Sequence, residues 1–351
     1  MRTTRRAGVA YGVDIGGTKV LGVAYADDGT VVAERRASTP HLSIDPARAP
    51  GEASVARAGG ELADAAAGVV RALRADLSGE PGPVGVGFPG MVDFGGVLRF
   101  APHLGAAAGA DVRTLVSRRL DGEPVQVAND ANCTAFGELA LGAARGFEDV
   151  LVVTLGTGIG GALVMGGRIV TGAHGFSGEI GHMVVDPNGP PCPCGKRGCW
   201  ERYASGGGLA RLAREAALAG TLEAAVALTG GDPEAVRGEH VTSAAASGDP
   251  GARRVVEELG WWLGLGLANL VAVLDPEVVV IGGGLARVGD VLLDPARAAL
   301  AALVEGGSVR PPVPVRPAAL GEHAGAIGAA LAARGDEGAP SSTVPPRTSG
   351  G

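Results

Sequence analysis

One piece of grammar occurs twice in this chain, and it constrains the fold more than any other feature. Val9 to Val32, VAYGVDIGGTKVLGVAYADDGTVV, reads as strand, glycine turn, strand, turn, strand: Val9, Tyr11 and Val13 alternate with smaller residues until Gly16 and Gly17 break the run. About 140 residues later the same layout returns as VLVVTLGTGIGGALVMGGRIV, aligning Asp14 with Thr154 and Gly16 with Gly156. A single glycine turn is a plain β-turn at least as often as a ligand loop. Two related hairpins are an internal repeat, and they predict two lobes that present glycine loops to a polyphosphate from opposite sides. Backbone without a Cβ approaches an anion closely, and Thr18 and Lys19 add a hydroxyl and a charge to the first loop.

The segment from His174 to Tyr203 carries the strongest chemical signal. His182, Cys192, Cys194 and Cys199 read as H-x9-C-x-C-x4-C, which suits one tetrahedral Zn2+. A disulfide fits poorly, because Cys192 and Cys194 are one residue apart and three cysteines leave one unpaired. Three thiolates and an imidazole leave no open position for water, so the metal is expected to be structural. Glu179 lies three residues before one ligand and Glu201 two residues after another. Zinc would therefore pin two carboxylates close together, a natural arrangement for the hydroxyls of a sugar, although solvated surface glutamates have the same spacing.

At 351 residues the chain has room for about two domains. Its net charge of -7, with no long basic cluster, argues against a nucleic-acid partner. The start, MRTTRRAG, runs into a strand without the apolar stretch of a signal peptide, and the apolar run from Trp261 to Leu274 is too short to span a bilayer. Thiols suited to zinc fit a reducing cytoplasm, and no membrane partner is expected.

The other segments follow from punctuation and periodicity. His41 to Gly60 reads as a loop, and Leu62 to Leu77 as a helix. VGVGFPG reads as a buried strand, MVDFGGVLRF as a short hairpin, and Asp111 as the cap of a helix through Leu120. PVQVAND is a strand that delivers Asn129 and Asp130 to a helix running to about Ala144; either residue could be a simple N-cap or an active-site group at a strand end. Ser205 caps the next helix, residues 230–236 are turn-rich, and Asp249 with Pro250 opens a buried helix to about Val273. Gly282, Gly283 and Gly284 separate a strand from a helix, as the wall of a purine site or as a tight turn. A small-residue helix begins at His323, and residues 336–351 are expected to be disordered.

Taken together, DIGGTK at Asp14, GFPGMVD at Gly87, NDAN at Asn129, LGTGIGG at Leu155, GEIGH at Gly178, CPCGKRGCWE at Cys192 and IGGG at Ile281 resemble the ROK family of repressors and sugar kinases, and within it the bacterial glucokinases. The resemblance runs from about Tyr11 to Ala333. It implies an α/β, actin-like ATPase (ribonuclease H-like) fold of two lobes with a cleft between them and a structural zinc loop. The small lobe would be residues 8–128 plus 322–335, and the large lobe 129–321 with zinc loop 182–199. It implies phosphorylation of glucose at the 6-hydroxyl by ATP, with Asp130 as general base and Asn129, Asp130, Glu179, His182 and Glu201 on the sugar.

By the same resemblance Gly16, Gly17, Thr18, Lys19, Gly156, Thr157, Gly158 and Gly160 form the phosphate loops, Asp14 lies near the Mg2+ that accompanies ATP, and Gly282, Gly283 and Gly284 lie on the adenosine side. Homodimers or homotetramers are expected. N-acetylmannosamine, N-acetylglucosamine, fructose or allose could replace glucose, and polyphosphate could replace ATP. A sugar-responsive repressor would need a DNA-binding module that the eight or so residues before the first strand do not supply, and a non-catalytic sensor would not need Asp130. Two departures stand out: mostly alanine at residues 105–109, and Cys133 where alanine is frequent. Neither is expected to touch the catalytic positions.

Overall fold

The computed structural model describes residues 8–42, 51–102 and 104–335. The first repeat forms β1 (Val9–Ile15), β2 (Lys19–Ala26) and β3 (Val31–Ser38), with β1 and β2 antiparallel from Val9↔Ala26 to Ile15↔Val20. Helix α1 (Glu52–Asp76) begins well before Gly60, so the loop expected over residues 41–60 is helical from Glu52. Ala58, Gly59 and Gly60 are buried along it: their small side chains are packing positions, and the composition that resembles a loop is that of a tightly packed helix. Residues 43–50 of that expected loop lie outside the described residues, as does the tail 336–351.

Next come β4 (Val84–Phe88), the short hairpin β5 (Met91–Val92) and β6 (Leu98–Phe100), α2 (Val112–Arg119), β7 (Val125–Asn129) and α3 (Asp130–Leu141). The second repeat supplies β8 (Val150–Leu155), β9 (Ile159–Met165) and β10 (Arg168–Ile169). Helices α4 (Glu201–Ala204), α5 (Gly206–Leu218), α6 (Glu223–Ala227), α7 (Gly238–Ala246) and α8 (Pro250–Leu274) follow, then β11 (Val278–Gly282), α9 (Asp290–Leu303), β12 (Val315–Pro317) and α10 (Ala324–Arg334). The glycines after β11 lead first into a 3-10 turn, Gly284–Val288, and only then into the helix.

The repeat extends to whole sheets. One five-stranded sheet has the order β3-β2-β1-β4-β7 and the other β10-β9-β8-β11-β12, the same arrangement with a second set of strands. The strand after each glycine-loop hairpin joins in parallel, β4 beside β1 and β11 beside β8. Asp14 thereby faces Gly87, and Thr154 faces Gly282. GFPG and IGGG hold corresponding places in the two sheets.

The chain divides into two compact units: Met1–Glu148, Ala162–Gly178 and Ala319–Gly351 in the first, and Asp149–Gly161 with Glu179–Ala318 in the second. This differs from the expected boundary at 128/129, because α3 packs on α10 within the first unit, where a Cβ at Gly137 would stand 2.5 Å from the Ala324 carbonyl oxygen. In that unit one face of the sheet buries Tyr11, Val13, Val86 and Phe88 beneath Leu62, Val70 and Leu73 of α1. The other buries Leu21, Val23 and Tyr25 against Ala326, Ile327 and Leu331 of α10. Gly12 and Gly85 open the sheet to that helix, since a Cβ on either would overlap the α10 backbone. Polyalanine-like α10 therefore sits directly on the strands that end at Ile15 and Phe88.

In the second unit α8 is long and apolar enough to cross a membrane, yet 61% of its apolar window is buried within the fold. Its second half is less enclosed than expected: Trp261 is 43% and Val273 80% exposed.

Candidate functional site

In the first unit Asn129 ends β7 and caps α3, its Oδ1 accepting from the Asn132 N–H at 3.0 Å while its Nδ2 donates to the Gly90 carbonyl at 3.0 Å. The capping role belongs to Asn129, which releases Asp130 from it. Asp130 is the first residue of α3, with Oδ1 accepting from the Ala131 N–H at 2.8 Å. Burial raises its carboxyl to about 6 against the opposing pull of that backbone hydrogen bond.

Asp14 lies beside it at the end of β1. Burial, then the nearby Asp130, raises it to about 8, with Lys19 opposing. Its buried Oδ1 has no hydrogen-bond partner. Two half-buried carboxyls, one with an orphaned oxygen, form a donor set that suits a hard divalent cation such as Mg2+. The corner closes around Gly87, where a Cβ would be 3.3 Å from Asp130 Cα, 3.4 Å from Asp14 Oδ1 and 3.4 Å from Cys133 Sγ. Cys133 thus shares the acidic corner, contrary to expectation: one helical turn after Asp130 its side chain returns to the same end of α3. Its thiol is held well above the ordinary range by burial, then by Asp14 and Asp130. The alanines of residues 105–109 contribute to packing, with Ala106 and Ala107 in the core with α1.

The first glycine loop is braced. The Gly16 N–H donates to the Lys19 carbonyl at 2.8 Å and the Thr39 hydroxyl to the Gly16 carbonyl at 2.7 Å, while the Lys19 ammonium pairs with Glu322.

In the second unit His182 ends a 3-10 turn, Ile180–His182, and the cysteines lie on a tight loop pinned by the bridges Pro191↔Arg197 and Val184↔Cys199. The four ligand atoms all fall within 4.8 Å of one another. Cys194 and Cys199 Sγ are 3.5 Å apart, and Cys192 Sγ is 3.7 Å from His182 Nδ1. Tetrahedral zinc, with Zn–S of about 2.3 Å and Zn–N of about 2.0–2.1 Å, requires edges of about 3.8 and 3.6 Å. The residues fit a zinc ion, and all four cysteines are free of disulfides.

The imidazole presents Nδ1 to the cysteines and Nε2 to Glu179, whose Oε2 is 3.9 Å away. Buried Glu201 reaches the same cluster, with Oε1 3.1 Å from Cys192 Sγ and 3.7 Å from His182 Nδ1. Glu179, His182 and Glu201 are gathered at the corner formed by the four candidate zinc ligands.

The second glycine loop meets the N-terminus of α5, where the Gly206 and Gly207 N–H groups donate to the carbonyls of Gly156 and Thr157 at 2.8 and 3.1 Å. Gly156, Thr157, Gly207 and Gly284 line a cleft of about 840 Å3 together with Arg237, Thr242 and Arg287. Gly158, Gly160, Gly282 and Gly283 are not in its lining. Gly283 instead makes the turn behind it, at φ +85° and so close to Leu155 that a Cβ would lie 2.7 Å from its nitrogen. A separate cavity of about 420 Å3, lined by Val271, Leu300, Val304 and Pro311, has none of these groups.

A family model described as the ROK family matches residues 10–336. The chain belongs to the ROK family. It is 38% identical over 330 residues to a glucokinase from Streptomyces coelicolor, covering 93% of this chain and 98% of that protein. Among solved structures it is similar to a ROK family glucokinase from Streptomyces griseus in complex with glucose and AMPPNP, at 36% identity and a TM-score of 0.81, covering 93% of this chain and all (100%) of that one. A ROK hexokinase from Thermus thermophilus matches at 34% identity and a TM-score of 0.67, covering 92% and 97% of the two chains. Both comparisons agree with the actin-like ROK architecture seen in the two sheets.

Sequence reasoning missed the part of this cleft supplied by α7 and its N-cap. Arg237, Glu239 and Thr242 line it, and their only signal was a short amphipathic stretch after Val236.

Proposed function

We propose that this protein transfers the γ-phosphoryl group of ATP to the 6-hydroxyl of glucose, giving glucose 6-phosphate and ADP. The observation that carries the reading is Asp130: a half-buried carboxylate at the start of α3, relieved of capping by Asn129 and raised to about 6, beside Asp14 and its orphaned oxygen. The similarity to a glucokinase solved with glucose and AMPPNP supports the choice of sugar and donor.

In this reading Asp130 accepts the hydroxyl proton as the sugar oxygen attacks the γ-phosphorus and ADP leaves. A base near pKa 6 is ionised at neutral pH and still basic enough to take that proton, which contributes roughly 100- to 10,000-fold. Most of the remaining acceleration comes from alignment, because phosphoryl transfer has a loose transition state. Mg2+ bound with ATP would supply charge neutralisation, and Asp14 is the residue that would hold it. Gly16, Gly17, Thr18 and Lys19 cradle phosphates in the first unit. In the second, Gly156 to Gly160 do so, and the cleft at Gly284 takes the nucleoside. Asn129, Glu179, Glu201 and the His182 Nε2–H would bind sugar hydroxyls, and a structural zinc held by the cysteines would orient the imidazole through Nδ1.

The cluster of free thiols supports a reducing, cytoplasmic setting. A homodimer or homotetramer belongs to the same proposal and is tested by sedimentation. The function is tested by measuring ADP release from purified protein across glucose, N-acetylmannosamine, N-acetylglucosamine and fructose, with ATP or polyphosphate as donor. Glucose-dependent ADP release is expected; sugar binding without turnover would overturn the reading in favour of a sensor.

A further inference from the structure

Lys19 is not poised alone beside its glycine loop. Its ammonium is paired with Glu322, which stands in the 3-10 turn, Gly321–His323, that leads into α10. The pair is one link of an alternating chain of charges. Arg36 grips Glu322 in a two-pronged contact, Nη1 to Oε2 at 3.2 Å and Nη2 to Oε1 at 2.8 Å. Arg36 Nε also meets Glu34 Oε1 at 2.7 Å, and the other oxygen of Glu34 lies 2.6 Å from His323 Nε2.

The two cations on Glu322 are not equivalent. Both side chains are about half in solvent, 47% for Lys19 and 46% for Arg36, but Arg36 is held by two carboxylates through a rigid fork, whereas Lys19 is a point charge on a flexible stem. Arg36 alone keeps Glu322 compensated, so Lys19 can leave without stranding a carboxylate. An exposed ion pair of this kind is easily exchanged. The Lys19 charge also reaches the acidic corner, where it favours the ionised form of Asp14.

We propose that Glu322 parks Lys19: in the donor-free protein its carboxylate holds the ammonium beside the first glycine loop, and a polyphosphate chain takes the ammonium over on binding. Glu322 is a positioning residue that sets donor affinity by competing with the donor for one cation. This rests on reading Gly16 to Lys19 as a donor-phosphate loop.

The experiment is a double-mutant cycle of Glu322→Gln and Lys19→Met. Binding of inorganic tripolyphosphate is followed by calorimetry, which needs no sugar reaction, alongside steady-state kinetics with ATP and glucose. Glu322→Gln should tighten tripolyphosphate binding and lower the KM for ATP by about two- to fivefold, with kcat and the KM for glucose unchanged. Arg36 keeps Glu34 as its partner, so the variant should fold as the parent does. In the Lys19→Met background the same substitution should change neither quantity.

Unchanged or weaker tripolyphosphate binding in Glu322→Gln overturns the proposal. So does an equal gain with Lys19 removed, which would mean that Glu322 merely repels the anion. Failure of the parent protein to phosphorylate glucose would sink the proposed activity and leave the binding cycle readable.

Discussion

Glu138 offers the sharpest quantitative test of how the first unit is held together. Its carboxylate is fully buried in α3 and accepts from three backbone N–H groups: Ala143 at 2.7 Å and Ala319 at 3.0 Å on Oε2, and Leu320 at 2.8 Å on Oε1. It thus ties the helix that begins at Asp130 to the segment that enters α10. Glu138→Gln keeps the shape but leaves one carbonyl oxygen for three donors. In the better orientation the carbonyl retains Ala143 and Ala319, while the new amide N–H2 confronts the Leu320 N–H. One charge-assisted hydrogen bond is lost, two are weakened, and a buried donor is stranded, for a destabilisation of about 2–4 kcal/mol. Urea unfolding should show this as a lower midpoint at unchanged slope, and hydrogen exchange should accelerate first at the amides of Ala143, Ala319 and Leu320. A loss below about 0.5 kcal/mol, the ordinary range for surface changes, would refute the claim that this carboxylate is the tie.

Asp130→Ala should lower kcat by at least about 100-fold while glucose binding remains measurable by calorimetry; full turnover would remove the base assignment. With Asp130 raised to about 6, kcat/KM for glucose should fall as pH drops through that value, because a protonated carboxyl accepts no proton, and Asp130→Asn should lack this acid limb. The same shift makes the ionised, half-buried carboxylate a cost to stability above about pH 6, relieved on acidification, so the Asp130→Asn protein should be the more stable of the two at pH 8 by urea unfolding. Cys194→Ser should lower bound zinc, measured by mass spectrometry, and weaken glucose binding; metal-free protein with normal sugar affinity would contradict the scaffold role of the loop.

Much of this site was legible because its residues carry their signals locally. The candidate zinc ligands lie within eighteen consecutive residues, and PVQVAND places a polar pair where an apolar strand stops. Other parts were hidden because their causes are tertiary. The glycines and alanines near residue 60 read as loop, yet they pack a helix, and small residues have the same letters in both settings. Cys133 looked remote from the chemistry until α3 turned it toward Gly87. The assignment of α3 to the first unit depends on α10, nearly two hundred residues away, which no window of the sequence contains.

The strand partners Gly87 and Gly282 have one more implication. Each stands opposite a residue in which the two hairpins differ, Asp14 in one and Thr154 in the other. A neighbour with no side chain makes few steric demands, so an acid can become an alcohol there without any adjustment of the adjacent strand. A duplicated half-molecule can in this way specialise its reactive corner while inheriting the rest of its framework intact.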